Sequence, residues 1–197
     1  QSLLGKRPID LASVERALLL LNDLPDIQGS GLLRAGRGVG ETTLLVQLEE
    51  VKSQGIISIN NQSSLAVGPF VISVAKQFRR VLMDHDELSI QLGTSGDGKE
   101  LINSSFRYAV PIGRDGLTAS FGTLLSKVRP TGAYVESRVV AQTLRARYPL
   151  IRTRDGSLFI EAGVTDVSSN TETVSGQVLF KEKAITRDVA LQVVDAR

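Results

Sequence analysis

Gly36-Arg37-Gly38-Val39-Gly40-Glu41-Thr42-Thr43 is the stretch of this chain that most invites a chemical reading. Dense glycines followed by threonines suggest a loop whose backbone N–H groups cradle phosphate. Two positions refuse that chemistry. Ala35 stands where the loop needs its first glycine, and Glu41 stands where it needs lysine, so a carboxylate would repel the phosphates that lysine attracts. The residues that follow read as a strand, whereas a phosphate loop must open a helix. The stretch is expected to be a flexible hairpin turn, with no nucleotide bound.

His85, between Asp84 and Asp86, is the only histidine, and the chain has no cysteine. One imidazole beside two carboxylates could start a metal site or an acid–base pair, but no second histidine or thiolate exists to complete it. A solvated turn between two strands is the expectation. Arg107, Arg138, Gln142, Arg145 and Glu161 have the polarity to line a channel on an inward face, or to be solvent-facing residues of a soluble sheet. No Ser/His/Asp or Cys/His set can be assembled. No enzyme is visible, and no cofactor or metal is implied.

The elements that carry these residues are strands. In Asp86–Gly93, Leu88, Ile90 and Leu92 alternate with Ser89 and Gln91. After a turn at residues 96–99, Phe106, Tyr108 and Val110 alternate with Ser105, Arg107 and Ala109. After Pro111–Gly116, Leu117, Ala119, Phe121 and Thr123 alternate with Thr118, Ser120 and Gly122. A period of two across short turns predicts antiparallel strands. The polar partners are small and uncharged apart from Arg107, which suits a wet interior. With its apolar face outward, this is the pattern of a membrane barrel wall.

Ahead of that region, residues 1–10 are a lead-in. Asp10 then caps a helix carrying Leu11, Val14, Leu18 and Leu21 at helical spacing, which Leu24-Pro25 ends. A hairpin is predicted next, with arms Ile27–Arg34 and Thr42–Val51. Beyond it the sequence predicts strands at Gly55–Asn60, Pro69–Arg80, the three above, Tyr134–Tyr148, Leu158–Thr165, Val174–Phe180 and Val189–Val193. Several have the ~10 residues needed to cross a bilayer at a tilt. Lys76 shares the apolar face of Phe70, Ile72, Val74 and Phe78, an awkward place for a charge at mid-bilayer.

The 197 residues allow one or two domains. A net charge of +2 gives no electrostatic case for nucleic acid. The longest apolar run, Ala17–Leu21, is far short of the ~20 residues of a spanning helix. The chain starts at Gln1 without Met, which reads as a start from which a leader has been removed. An aromatic content of 5% is low for a barrel with two aromatic girdles and favours a soluble alternative.

In order along the chain, these pieces resemble the outer-membrane transporters of two-partner secretion, the haemolysin-activator or TpsB type. Ala17–Pro25 with the glycine-rich turn and Thr43–Leu48 is similar to the end of their second POTRA domain. Gly55–Asn61 with Gly68 resembles the first barrel strand and its turn, and Asp86-Glu87-Leu88-Ser89 the strand start after the next turn. Tyr108, Pro111, Gly113 and Gly116 match the family's tyrosine–proline–glycine hairpin, and Tyr148–Arg154 a later strand-to-turn signature.

The resemblance implies a mainly β chain: residues 1–52 the C-terminal part of a POTRA-like α+β unit, and 53–197 the N-terminal strands of a barrel of about sixteen. It places the chain in the bacterial outer membrane, in contact with its lipid, with the N-terminal part in the periplasm. It implies a secreted exoprotein as partner, captured unfolded, with no ATP, nucleotide or nucleic acid involved. Capture by strand addition to a sheet edge would use the arm Ile27–Arg34, with Leu32 and Arg34 as contacts. Arg107, Arg138, Gln142 and Glu161 would line the pore. Asp26 and His85 depart from the family pattern, each standing where glycine is usual, and Asn60 and Ser63 replace its aspartate and glycine. On this resemblance the chain ends about halfway round the barrel, and the family's inward-folded arginine–glycine loop would lie beyond Arg197. The competing expectation is a soluble all-β binding module with an α+β lead-in and no transport activity.

Overall fold

A computed structural model describes residues 10–38 and 40–195. The lead-in over residues 1–9 and Val39 of the glycine-rich turn lie outside them. Helix α1 (Leu11–Asn22) begins where expected, with Asp10 accepting from Ala12 N–H over 3.2 Å and from the Ser13 hydroxyl. Asn22 ends it by bridging outward. Its amide donates to Leu18 O and Gly29 O and accepts from Gly29 N–H, at 2.8–2.9 Å, tying the helix to the next strand. Among the described residues no helix is long and apolar enough to cross a membrane.

Strands β1 (Ile27–Ala35) and β2 (Thr42–Glu50) pair antiparallel from Ile27 with Glu50 to Ala35 with Thr42. Gly29 and Gly31 face α1. A Cβ at Gly31 would lie 2.5 Å from Leu18 Cδ1, and one at Gly29 would lie 2.6 Å from Leu21 Cδ2, so a side chain at either position would have to push these leucine tips aside. The glycine-rich turn is closed by Glu41, whose carbonyl accepts from Gly36 N–H (2.7 Å) and whose carboxylate accepts from Gly38 N–H (2.9 Å). The residue that spoils the phosphate loop is thus the hairpin's own clasp, and Thr42 opens a strand.

A single meander sheet follows: β3 (Gly55–Asn60), β4 (Val71–Arg79), β5 (Glu87–Ser95), β6 (Leu101–Ile112), β7 (Leu117–Val128), β8 (Val135–Arg152), β9 (Gly156–Thr173) and β10 (Val178–Asp195). Each strand pairs antiparallel with its chain neighbour. The fold is mainly β, as the alternation predicts. Two strand expectations are corrected. Val174–Phe180 and Val189–Val193 are not separate strands: one 18-residue strand runs from Val178, and Val174 sits in the preceding turn, donating to Tyr134 O over 2.9 Å. Lys181, Glu182, Lys183, Arg187 and Asp188 interrupt the apolar rhythm, yet the backbone ladder to β9 continues through them. Likewise the muddled alternation near Tyr134–Tyr148 belongs to a regular strand with a bulge at Pro149, where no N–H is available to the ladder.

The sheet has almost no conventional core. Among the described residues the buried hydrophobics are Val14, Ala109 and Phe159. Registers run straight across the strands, so each rung puts one residue per strand on one face. Phe78, Leu88, Tyr108, Phe121, Leu144 and Val164 form such a rung, ending at Arg187. The next rung, on the opposite face, is Gln77, Ser89, Arg107, Gly122, Thr143, Thr165 and Thr186.

Candidate functional site

The polar face is concave. Gln77, Ser89, Gln91, Ser105, Arg107, Thr143 and Arg145, from four different strands, line one open hollow of about 570 Å³. Small side chains dominate its middle. Charged ones gather toward the end where α1 docks, around a second hollow of about 450 Å³ lined also by Asn22, Asp23 and Pro25. There Arg145 on β8 pairs with Glu161 on β9 and lies 3.4 Å from Asp188 on β10. Arg107 lies 3.9 Å from Glu87, and Arg147 stacks 3.9 Å from the Phe159 ring centroid while donating to Gln192. The concave face therefore offers paired ions and hydroxyls to a wet lumen.

Arg107 and Glu161 sit on this concave face; Arg138 and Gln142 do not. Side chains alternate along β8, and Arg138, Val140, Gln142, Leu144 and Ala146 are exposed on the convex side, while Val139, Ala141, Thr143 and Arg145 turn inward. Assigning Arg138 and Gln142 to the lumen with Arg145 mixed two parities of one strand, and it is corrected here. Leu32 and Arg34 pair with Leu45 and Thr43 and lie on the face of β1 turned away from α1. Leu32 is exposed there.

The helix unit is clamped to the sheet. Arg152 makes a two-pronged contact with Asp23 (3.0 and 2.8 Å), Arg16 donates to Pro149 O (3.2 Å), and Glu15 accepts from Arg154 N–H (2.8 Å). Leu20 packs on the Gly116 turn. His85 is in a turn, as expected, but it is not merely solvated: its Nδ1 lies 2.7 Å from Asp26 Oδ1. Arg80 approaches Asp26 from the same turn at 3.5 Å. No group of three metal-binding side chains occurs among the described residues.

Asp86 is a structural residue that sequence reading missed. It is fully buried and accepts from the backbone N–H groups of Val81 (2.6 Å), Leu82 (2.8 Å) and Met83 (2.9 Å) and from the Tyr108 hydroxyl (2.7 Å). Burial alone would push its pKa up. The N–H of Leu82, the Tyr108 hydroxyl and the N–H groups of Val81 and Met83 outweigh it and hold the carboxyl down at about 2. The sequence marks only a carboxylate in a turn; which N–H groups it caps is set by the turn's backbone geometry.

The convex face is apolar, with polar interruptions. Lys76 is exposed there and reaches over the Phe78 ring, 5.0 Å from its centroid. Asp166, in register with Gln142, pairs with Lys183 at 3.5 Å.

No family model matches the chain. It is 28% identical over 110 residues to the heme/hemopexin transporter protein HuxB of Haemophilus influenzae, a match covering 55% of this chain and 19% of that protein. Its fold is similar to part of CdiB from Escherichia coli (TM-score 0.65, 19% identity, 90% of this chain and 35% of that one). It is also similar to CdiB from Acinetobacter baumannii (TM-score 0.60, 12% identity, 90% of this chain and 36% of that one). The chain thus spans about a third of the solved relatives. The chain is similar to HuxB, a transporter of the two-partner secretion type, over part of its sequence, and to part of CdiB in fold.

Proposed function

We propose that this chain is a section of an outer-membrane transporter that exports a secreted polypeptide. Residues 53–197 form its barrel wall, and residues 1–52 a POTRA-like unit on the periplasmic side. The observation that carries the reading is the inversion of the sheet. Large apolar side chains stand exposed on the convex face, and small polar ones line the concave face. A soluble module would bury the former; a bilayer solvates them. HuxB is a transporter, and the concave face of this chain would serve as a lined path. The exoprotein would pass the concave face and touch Arg107 and Glu161. Leu32 and Arg34, on the exposed hairpin arm, would meet it first by strand addition.

The absence of native cysteine makes the test clean. Single cysteines at Ser105 and Phe106 occupy opposite faces of β6. In outer membranes, a water-soluble maleimide should label Ser105→Cys and spare Phe106→Cys. Equal labelling of both, with the chain recovered in buffer without detergent, would support the soluble module and end the transporter reading. A photocrosslinker at Arg107 should trap a secreted polypeptide in transit, and one at Gln142 should trap none.

A further inference from the structure

The convex face carries a built cationic patch at the end of the sheet remote from α1. Glu136, 7% exposed, is gripped by three cations. Lys127 Nζ and Arg129 Nη2 each lie 3.0 Å from its Oε2, and Arg138 Nη2 lies 2.7 Å from its Oε1. One carboxylate cannot neutralise three cations, so two positive charges remain. Adding the neighbouring strands' Lys181 and Glu172 leaves that excess unchanged. The cations themselves stay 41–61% exposed, so their remaining N–H groups face outward, fixed in place by the shared carboxylate.

The height of the patch is informative. Tyr148 and Arg138 lie on the same convex face of β8, ten positions apart. At ~3.4 Å per residue and a ~40° tilt, that is roughly 26 Å of height, close to the ~25 Å apolar band of a barrel. If Tyr148 marks one interface, Arg138 and Lys127 arrive at the other. Resting on the transporter reading above, we propose that Lys127, Arg129 and Arg138 bind the phosphate groups of a phosphorylated glycolipid in the outer leaflet. Two guanidinium groups and an ammonium are the donors that phosphate oxygens accept from most strongly.

The test uses the full-length transporter of which these residues are a section, reconstituted in phosphatidylcholine vesicles. The probes are bisphosphorylated lipid A, its dephosphorylated form, and phosphatidylglycerol. The wild type should bind lipid A about tenfold or more tighter than either other lipid, and Lys127→Gln/Arg138→Gln should lose that preference. Arg138→Lys, which keeps the charge, should retain most of it, and Lys99→Gln, in an exposed turn at the same end, should behave as wild type. Circular dichroism checks that each variant keeps its strands. Equal affinity for lipid A and its dephosphorylated form, or for lipid A and phosphatidylglycerol, would overturn the assignment. So would an undiminished preference in the double variant. A wild-type chain that stays outside the vesicles would instead overturn the transporter reading, and this site with it.

Discussion

Asp26 and His85, each standing where the resembled family usually has glycine, are partners: Asp26 Oδ1 lies 2.7 Å from His85 Nδ1. His85 holds a positive φ of 63°, the conformation a glycine would adopt without strain. Asp26 is 1% exposed, so its carboxylate depends on His85 and Arg80 for compensation.

His85→Gly should therefore destabilise despite relieving the backbone, by about 1–3 kcal/mol, because it strips a buried carboxylate of its nearest partner. The double change Asp26→Gly/His85→Gly should recover most of the loss. Urea unfolding in detergent, followed by circular dichroism, gives the coupling. Strictly additive effects would mean that the two residues do not act as a pair.

Asp86 sets an acid limit on the turn at residues 80–86. Its pKa is lowered from 3.8 to about 2, so it favours the folded state fully above 3.8. That contribution disappears as pH falls from there through about 2. The wild type's melting temperature should drop across this window. Asp86→Asn should melt lower than wild type above it, by about 1–3 kcal/mol of lost hydrogen bonding, and change little within it. A variant that tracks the wild type at every pH would deny Asp86 this role.

Docking of α1 rests on a glycine that tolerates no side chain. Gly116 has a φ of 90°, and a Cβ there would lie 2.6 Å from Leu20 Cδ2 and 2.7 Å from Pro149 Cγ. Gly116→Ala should loosen the helix from the sheet and expose the Leu24–Ile27 connection to limited proteolysis. It should also weaken the Asp23–Arg152 contact, read as faster amide exchange at residues 153–156. Unchanged digestion would show that Arg16, Arg152 and Arg154 suffice.

Lys76 interrupts the convex apolar face. Lys76→Leu should stabilise the chain in bilayers by about 2 kcal/mol, somewhat under the full cost of a lipid-facing lysine because the Phe78 ring already shelters the ammonium. Heat-modifiability on gels would show it. No gain would place this part of β4 outside the hydrocarbon.

The strands were legible because a half-lipid, half-water wall writes its two solvents in alternate letters. Between Leu88 and Thr123 the reading needed nothing else. It failed where polarity and parity disagree. Arg138 and Gln142 looked like lumen residues because they are polar, although counting from Leu144 puts them on its face. Charges on β10 hid a continuous strand for the same reason. Contacts between distant segments, such as Asp26 with His85 or Asp23 with Arg152, leave no periodic trace. The Asp86 clasp needed the turn's backbone geometry before its purpose could be seen.

The inequality of the two faces also bears on shape. Across the central rungs, Ser, Ala, Gly and Thr on one side oppose Phe, Leu, Ile and Tyr on the other. Gly93 shows how little room the small side leaves, since a Cβ there would sit 2.3 Å from Asn103 Oδ1. Such a sheet behaves like a strip laminated from two layers of unequal thickness: it bends toward the thin layer. The radius of the wall is then a property of side-chain volume, distributed over many positions, and a few bulky substitutions on the thin side would open the arc and widen the lane it encloses.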